Sequence, residues 1–171
     1  MDRKLIGVDV GGTKVSVAVL SGATLGEPQL QPTDTSSAAA LIDQLVAAVE
    51  RAAGGEAVDA VGVGIPSVVD WATGCARSSV NIPLQDVPLR DELEARLGVP
   101  VFVDNDANCA GLAEAHGPDG TVETSNLVIF TVGTGVGGGI VIDGRVYRGI
   151  TGAAPEIGHM VIGADAAAAG P

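Results

Sequence analysis

The segment 9–14 has the residue types that bind a phosphate group. It supplies a carboxylate, two glycines, a hydroxyl and an ammonium group in the order Asp9, Gly11, Gly12, Thr13, Lys14. Backbone N–H groups and Lys14 would oppose phosphate oxygens, and Asp9 would hold Mg²⁺ directly or through water. Thr13 precedes Lys14, the reverse of the Walker A order. The alternative is a plain hairpin whose glycines only supply positive φ.

A second glycine-rich segment covers residues 133–139. Gly133, Thr134 and Gly135 open a formal GxGxxG match that follows an apolar run. The dinucleotide fingerprint needs a helix after its third glycine, whereas residues 139–144 have the pattern of a strand and a turn. We therefore expect a phosphate-holding hairpin, with a hairpin kept for tight packing as the alternative.

The triplet Asp104-Asn105-Asp106 stands where a short apolar strand is expected to end and a helix to begin. One of its aspartates could accept a proton from an attacking hydroxyl while Asn105 hydrogen-bonds the same substrate. Asp and Asn are also ordinary helix caps, and for the triplet in isolation capping is the favoured interpretation.

The segment 156–159 places Glu156 and His159 three residues apart in a Gly/Pro-rich loop. The two side chains could bind sugar hydroxyls, or His159 could ligate a metal. A single histidine without neighbouring cysteines is more often a hydrogen-bonded surface residue. Cys75 and Cys109 form no CxxC pair, so neither a disulfide framework nor a zinc knuckle is expected, and Cys109 is expected to be a small core residue.

Composition limits the classes of function. The 171 residues carry 21 acidic and 9 basic side chains, a net charge of −12, which disfavours nucleic acid as the main partner. Hydrophobic residues make up 46% of the chain and aromatic residues 2%, so a core of Val, Ile, Leu and Ala is predicted. Neither a signal-peptide core nor an apolar run of about 18 residues is present, and we expect a soluble, cytoplasmic protein without a membrane partner.

The elements that position these motifs follow from apolar periodicity and turn residues. Strands are expected at 5–10 and 15–19, joined by the glycine turn, with a helix at 37–53 and a strand at 58–64. A polar loop is expected around 66–81. A helix at 89–97, a strand at 100–103 and a helix at 107–115 follow. The second half is predicted to hold strands at 126–132, 140–142 and 145–147, then a loop-rich tail. We expect two related lobes, 1–116 and 117–171.

Taken together, the motifs resemble the ROK family of sugar kinases and sugar-responsive repressors. The similarity is carried by IGVDVGGTKVSVAVL, VGVGIPSVVDWATG, NIP, VPVFVDNDANCAGLAEA and IFTVGTGVGGGIVIDGRVYRGITGAAPEIGH, in that order. It implies an α/β protein with the actin-like ATPase, ribonuclease H-like, sugar kinase fold, containing the first lobe and the start of the second.

The resemblance also implies roles for single residues. Asp106 would be the general base that takes the proton from the 6-hydroxyl of the sugar, and Asn105 and Glu156 would bind hydroxyls. His159 would touch the sugar and ligate a structural zinc. The first phosphate site would be formed by Asp9, Gly11, Gly12, Thr13 and Lys14, and the second by Gly133, Thr134 and Gly135.

The sequence departs from the family pattern after His159. Family members carry a CxCGxxGCxE-like segment there, whereas residues 160–171 contain neither Cys nor Glu. We therefore expect an N-terminal portion of a longer kinase in which His159 lacks its zinc partners.

The implied activity is phosphorylation of a hexose, glucose above all, with Mg²⁺ and ATP or with polyphosphate, in a protein that forms a homodimer when complete. The alternatives are the sugar-sensing domain of a ROK-type repressor and an inactive truncated remnant.

Overall fold

A computed structural model describes residues 3–133, 135–154 and 156–160. The first half of the chain contains β1 (Lys4–Val10), β2 (Lys14–Ser21), β3 (Thr24–Leu25), β4 (Gln29–Pro32), α1 (Ala38–Ala53), β5 (Ala60–Ile65), β6 (Ser67–Asp70), β7 (Cys75–Ser79) and β8 (Gln85–Val87). The remainder contains α2 (Leu89–Leu97), β9 (Val101–Asn105), α3 (Asp106–Ala115), β10 (Leu127–Val132), β11 (Val136–Ile142), β12 (Arg145–Val146) and a 3₁₀ turn (Ile157–His159). None of the helices in these ranges is long and apolar enough to span a membrane.

The largest sheet has the strand order β3-β2-β1-β5-β9, with β4 also pairing with β2. β1 and β2 form the predicted antiparallel hairpin, while β1, β5 and β9 run parallel. The carboxyl ends of parallel strands meet at one edge of a sheet. Asp9 is therefore in register with Gly64, and Gly64 with Asp104.

Helix α1 covers one face of this sheet. Alternate residues of β1, among them Ile6 and Val10, point into the core and meet Leu41 and Leu45 of the helix, all at most 1% exposed. Burying each leucine stabilises the fold by roughly 1.5–3 kcal/mol. The helix begins as predicted, because the Ser37 side chain accepts a hydrogen bond from the backbone N–H of Ala40.

The core consists of aliphatic residues, as the composition predicted. Its buried members are Val, Ile, Leu and Ala. The four aromatic residues all lie more than half exposed, and they are Trp71, Phe102, Phe130 and Tyr147.

The prediction of a polar loop at 66–81 is wrong, because β6 and β7 lie there. With β8 they form a second, antiparallel sheet. These strands are short and mix polar with apolar residues, so hydrophobic alternation is weak, yet Val69 and Ala76 are buried. The β6–β7 turn ends at Gly74, which has φ of +69° and lies so close to Arg90 of α2 that an added Cβ would be 2.4 Å from the Arg90 Cβ.

A third sheet is formed by β10, β11 and β12. β11 starts at Val136, four residues before the predicted strand, so Gly137, Gly138 and Gly139 belong to the strand. The glycines permit close packing: a Cβ on Gly139 would be 2.5 Å from the carbonyl oxygen of Ala107 in α3. The tight-packing alternative is confirmed for this part of the segment, and so is the rejection of a dinucleotide fingerprint.

Candidate active site

A cavity of about 750 Å³ collects most of the predicted substrate-binding residues. Asn105 and Asp106 enter it from the junction of β9 and α3, Gly133 and Gly135 from the β10–β11 hairpin, and Glu156 from the segment before the 3₁₀ turn. Residues that are far apart in the sequence therefore line one cavity.

Asp106 is the first residue of α3 and is half-buried. Its Oδ1 accepts a hydrogen bond from the backbone N–H of Ala107 at 2.8 Å. Burial raises the pKa of the Asp106 carboxyl above its ordinary value, and the negative charges of Asp9 and Glu156 raise it further. Asp106 thus has a higher proton affinity than an ordinary aspartate, as a group that takes up a proton during a reaction requires.

Asn105 caps α3, so the capping interpretation is confirmed for this residue. Its Oδ1 accepts hydrogen bonds from the backbone N–H groups of Ala107 and Asn108 at 3.0 and 3.1 Å. Its Nδ2 donates to the carbonyl oxygen of Ser67 at 3.4 Å. These bonds fix the side chain of Asn105, which lines the cavity.

Asp104, the other aspartate of the triplet, is held by structural contacts. Its Oδ2 accepts two hydrogen bonds from Arg148, and its Oδ1 accepts one from Asn108 Nδ2 at 3.0 Å. The triplet thus separates into an ion-paired residue, a helix cap and Asp106.

The β1–β2 turn has the geometry of a tight loop. The Gly11 N–H donates to the Lys14 carbonyl at 2.8 Å, and the Thr33 hydroxyl donates to the Gly11 carbonyl at 2.7 Å. Neither Gly11 nor Gly12 has positive φ, so the positive-φ alternative is wrong. Gly12 is required instead by close approach, since an added Cβ would be 2.8 Å from the Cβ of Asn81, which lines the cavity.

The remaining phosphate-site residues are divided between two places. Thr13 and Lys14 are exposed, and in the described part of the chain residues 11–14 line neither this cavity nor a second one of about 910 Å³. Asp9 lines the second cavity together with Asp106. Added Cβ atoms on Gly133 and Gly135 would meet only open space. Thr134 and the side chain of His159 lie outside the described residues.

Of the two predicted metal ions, the described residues fit Mg²⁺ and do not fit zinc. Within residues 3–133, 135–154 and 156–160, no three His, Cys, Asp or Glu side chains are grouped to hold a metal ion. Cys75 and Cys109 are both free thiols, on separate elements, so the described residues do not fit a zinc site. Asp9 offers a hard oxygen ligand at a strand end near Asp106, which fits Mg²⁺ brought in with a nucleotide.

Burial makes Cys109 chemically inert. Its pKa is raised to about 12 by burial first and by the charges of Asp104 and Asp106 next. It is half-buried on α3, lies against Gly64 and lines the second cavity, so the prediction that it is a core residue is wrong.

Comparison with known proteins identifies the family. The ROK family matches residues 5–170. The chain belongs to the ROK family. It is 39% identical over 168 residues to the glucokinase of Halalkalibacterium halodurans, covering 94% of this chain and 51% of that protein. It is also 39% identical over 169 residues to the N-acetyl-D-glucosamine kinase of Vibrio cholerae, with 94% and 53% covered.

Solved ROK structures confirm the fold. A glucokinase from Streptomyces griseus, crystallised with glucose and AMPPNP, superimposes with a TM-score of 0.82 at 36% identity, covering 94% of this chain and 51% of the other. The α/β fold is that of the actin-like sugar kinases, as expected. A putative xylose repressor of a Caldicellulosiruptor species is 43% identical over 102 residues, 60% of this chain and 25% of that protein. The chain spans about half the length of the kinases it matches.

Sequence reasoning missed two residues of this cavity, Ser67 and Thr131, and one residue of the second cavity, Arg148. Ser67 is buried with its hydroxyl bonded to that of Ser79. Recognising β6 as a strand would have placed Ser67. Arg148, the partner of Asp104, had no local signal, because the two residues are 44 positions apart.

Proposed function

We propose that the protein phosphorylates the 6-hydroxyl of a hexose, with glucose as the preferred substrate and ATP as the donor. The observation that carries the proposal is Asp106, a half-buried carboxylate of raised pKa that shares one cavity with Asn105, Glu156 and the glycine hairpin. Membership of the ROK family and the similarity to glucokinases support it.

Asp106 is the general base of this reaction. It accepts the proton of the 6-hydroxyl as the oxygen attacks the γ-phosphorus, and its raised pKa favours that transfer. Its place at the N-terminus of α3 fixes the carboxylate on a rigid element. Asn105, Glu156 and His159 bind sugar hydroxyls and hold the reacting oxygen in line. Alignment of this kind supplies much of the rate enhancement in phosphoryl transfer.

Two glycine turns hold the phosphates. Gly133, Thr134 and Gly135 supply N–H and O–H donors, and the open space beside Gly133 and Gly135 leaves room for a phosphate group. Gly11, Gly12, Thr13 and Lys14 oppose the remaining oxygens, with Lys14 as the cation. Asp9 would hold Mg²⁺, directly or through water, and the ion would supply positive charge beside the phosphates.

The chain divides into lobes 1–116 and 117–171, with the cavity between them. Residues 105–106 belong to the first lobe, and the glycine hairpin and Glu156 to the second. Substrates bound in the cavity therefore contact both lobes.

A repressor domain is the second candidate, favoured by the similarity to a putative xylose repressor. A sensor would bind a sugar in the same cavity without turnover. Binding of the sugar in the absence of phosphorylation would distinguish it from a kinase.

The test is phosphorylation of a hexose panel, measured as the amount of hexose phosphate formed. Glucose, mannose and N-acetylglucosamine are each combined with Mg-ATP and with polyphosphate. The 171-residue chain is assayed beside the longest product that its gene encodes. Turnover with glucose and Mg-ATP in either protein is the expected result. Folded protein that binds glucose without turnover would favour the sensor, and absence of both binding and turnover would overturn the proposal.

A further inference from the structure

Arg148 forms an ion pair with Asp104, near the end of β9. Its Nε and Nη2 both donate to Oδ2 of Asp104, at 2.9 and 2.6 Å. Its guanidinium carbon lies 4.6 Å from the centre of the Trp71 ring. The side chains of Arg148 and Asp104 are only 22% and 13% exposed. This ion pair is therefore shielded from water, unlike the surface pairs that contribute little.

Asp104 connects that ion pair to the first turn of α3. While Oδ2 faces Arg148, Oδ1 accepts hydrogen bonds from the backbone N–H of Asn105 at 2.8 Å and from Asn108 Nδ2 at 3.0 Å. Asn105 caps the helix and Asp106 begins it. One carboxylate thus bonds to Arg148 with one oxygen and fixes the start of α3 with the other.

Arg148 also begins a closed loop. The Ala154 N–H donates to the Arg148 carbonyl at 3.2 Å. Gly149 and Gly152 both have positive φ, and added Cβ atoms would be 2.9 Å from the Ala154 Cβ and 2.4 Å from the Val69 carbonyl oxygen, respectively. The loop is compact and rests on β6, so Arg148 is held through its backbone as well as through its guanidinium.

We infer that Arg148 is a positioning residue: its ion pair with Asp104 holds the first turn of α3, and with it Asn105 and Asp106, in place in the cavity. The inference rests on the proposed function and extends it to Arg148 and Asp104, which do not line the cavity of about 750 Å³. Without the pair, Asp104 loses the partner of its Oδ2, the first turn of α3 is held less firmly, and a bound hexose loses its alignment with the base.

The test is Arg148→Met, which keeps an unbranched apolar stem and removes the guanidinium. It is assayed in whichever parent protein turns over hexose. The kcat is expected to fall about tenfold or more, because small misplacements of reacting groups carry losses of this size. The hexose KM is expected to rise about fivefold while the ATP KM changes by less than about twofold. Loss of folded protein alone would lower the apparent kcat and leave the hexose KM unchanged.

Three further variants control the experiment. Arg148→Lys restores a cation that donates to Asp104, although without the guanidinium fork, and is expected to bring the hexose KM within about twofold of the parent. Arg145→Met removes an equal charge from an exposed position on β12 and is expected to change neither constant. Asp104→Asn keeps an Oδ1 acceptor, and combining it with Arg148→Met should be no worse than the more impaired single variant.

An Arg148→Met protein with the kcat and hexose KM of the parent would overturn the inference and leave the kinase proposal standing. The inference is also overturned if the effects of Asp104→Asn and Arg148→Met simply add, because two independent sites would then be acting. A parent protein without turnover and without hexose binding would overturn the proposed function, and with it this inference.

Discussion

Gly139→Ala is expected to destabilise the protein by pushing α3 away from β11. The new Cβ would be 2.5 Å from the Ala107 carbonyl oxygen and 3.3 Å from the Gly111 Cα. Both atoms are backbone, so no change of rotamer relieves the contact. Restoring an ordinary carbon–oxygen separation of about 3.3 Å requires a shift of roughly 0.8 Å. Overpacking of this kind costs about 1–3 kcal/mol.

Gly62→Ala is the matched control. Gly62 lies in β5, and an added Cβ there would meet nothing within 4 Å. Alanine restricts the unfolded chain more than glycine, so this variant is expected to gain about 0.5 kcal/mol. The same substitution is therefore expected to lower the free energy of unfolding at Gly139 and to raise it at Gly62.

Urea unfolding followed by far-UV circular dichroism measures the difference. With an m-value of about 2 kcal/mol/M, a loss of about 2 kcal/mol lowers the midpoint by about 1 M. Turnover should fall as well, because the shifted helix carries Asp106. A Gly139→Ala midpoint equal to that of Gly62→Ala would refute the packing argument.

Two further predictions concern the perturbed ionisable groups. Carboxyl ¹³C NMR should show Asp106 titrating above an ordinary aspartate, with Asp9→Asn lowering the midpoint because the charge of Asp9 raises this pKa; an unchanged midpoint would count against that coupling. The Asp106 carboxyl keeps its proton to a higher pH in the folded state than in the unfolded chain. Its contribution to the free energy of unfolding therefore decreases as pH rises from the unfolded pKa to the folded pKa. For this reason Asp106→Asn should be at least as stable as the parent at pH 7. In a Cys75→Ala background, Cys109 should react with iodoacetamide at pH 8 at least about tenfold more slowly than a free thiol, because a pKa of about 12 leaves little thiolate at that pH. Rapid alkylation of folded protein would contradict that burial.

The sequence predicted the placement of the motifs well, since each one stands at the end of an element with a clear signal. The apolar pattern of β1 and β2 and the helical spacing of α1 depend on neighbours in the chain, and all three elements are found where they were predicted. Asp106 could be placed at a strand-to-helix junction for the same reason.

Features that depend on distant contacts could not be predicted from the local pattern. The Ser-rich strands β6 and β7 gain their pairing from register and from burial of Val69 and Ala76. Gly139 has the pattern of a turn residue until α3 is known to lie against it. The division of roles between Asp104 and Asp106 depends on Arg148, whose approach is set by tertiary structure.

Asp106→Asn tests the central claim most directly. The variant keeps the shape of the side chain and removes its capacity to accept a proton as a carboxylate. Turnover of glucose with Mg-ATP is expected to fall by about 10²–10⁴-fold, while the glucose Kd measured by calorimetry stays within about threefold of the parent. Asp91→Asn, an exposed aspartate on α2, should change neither quantity. Turnover equal to that of the parent would contradict the account of Asp106 as the base.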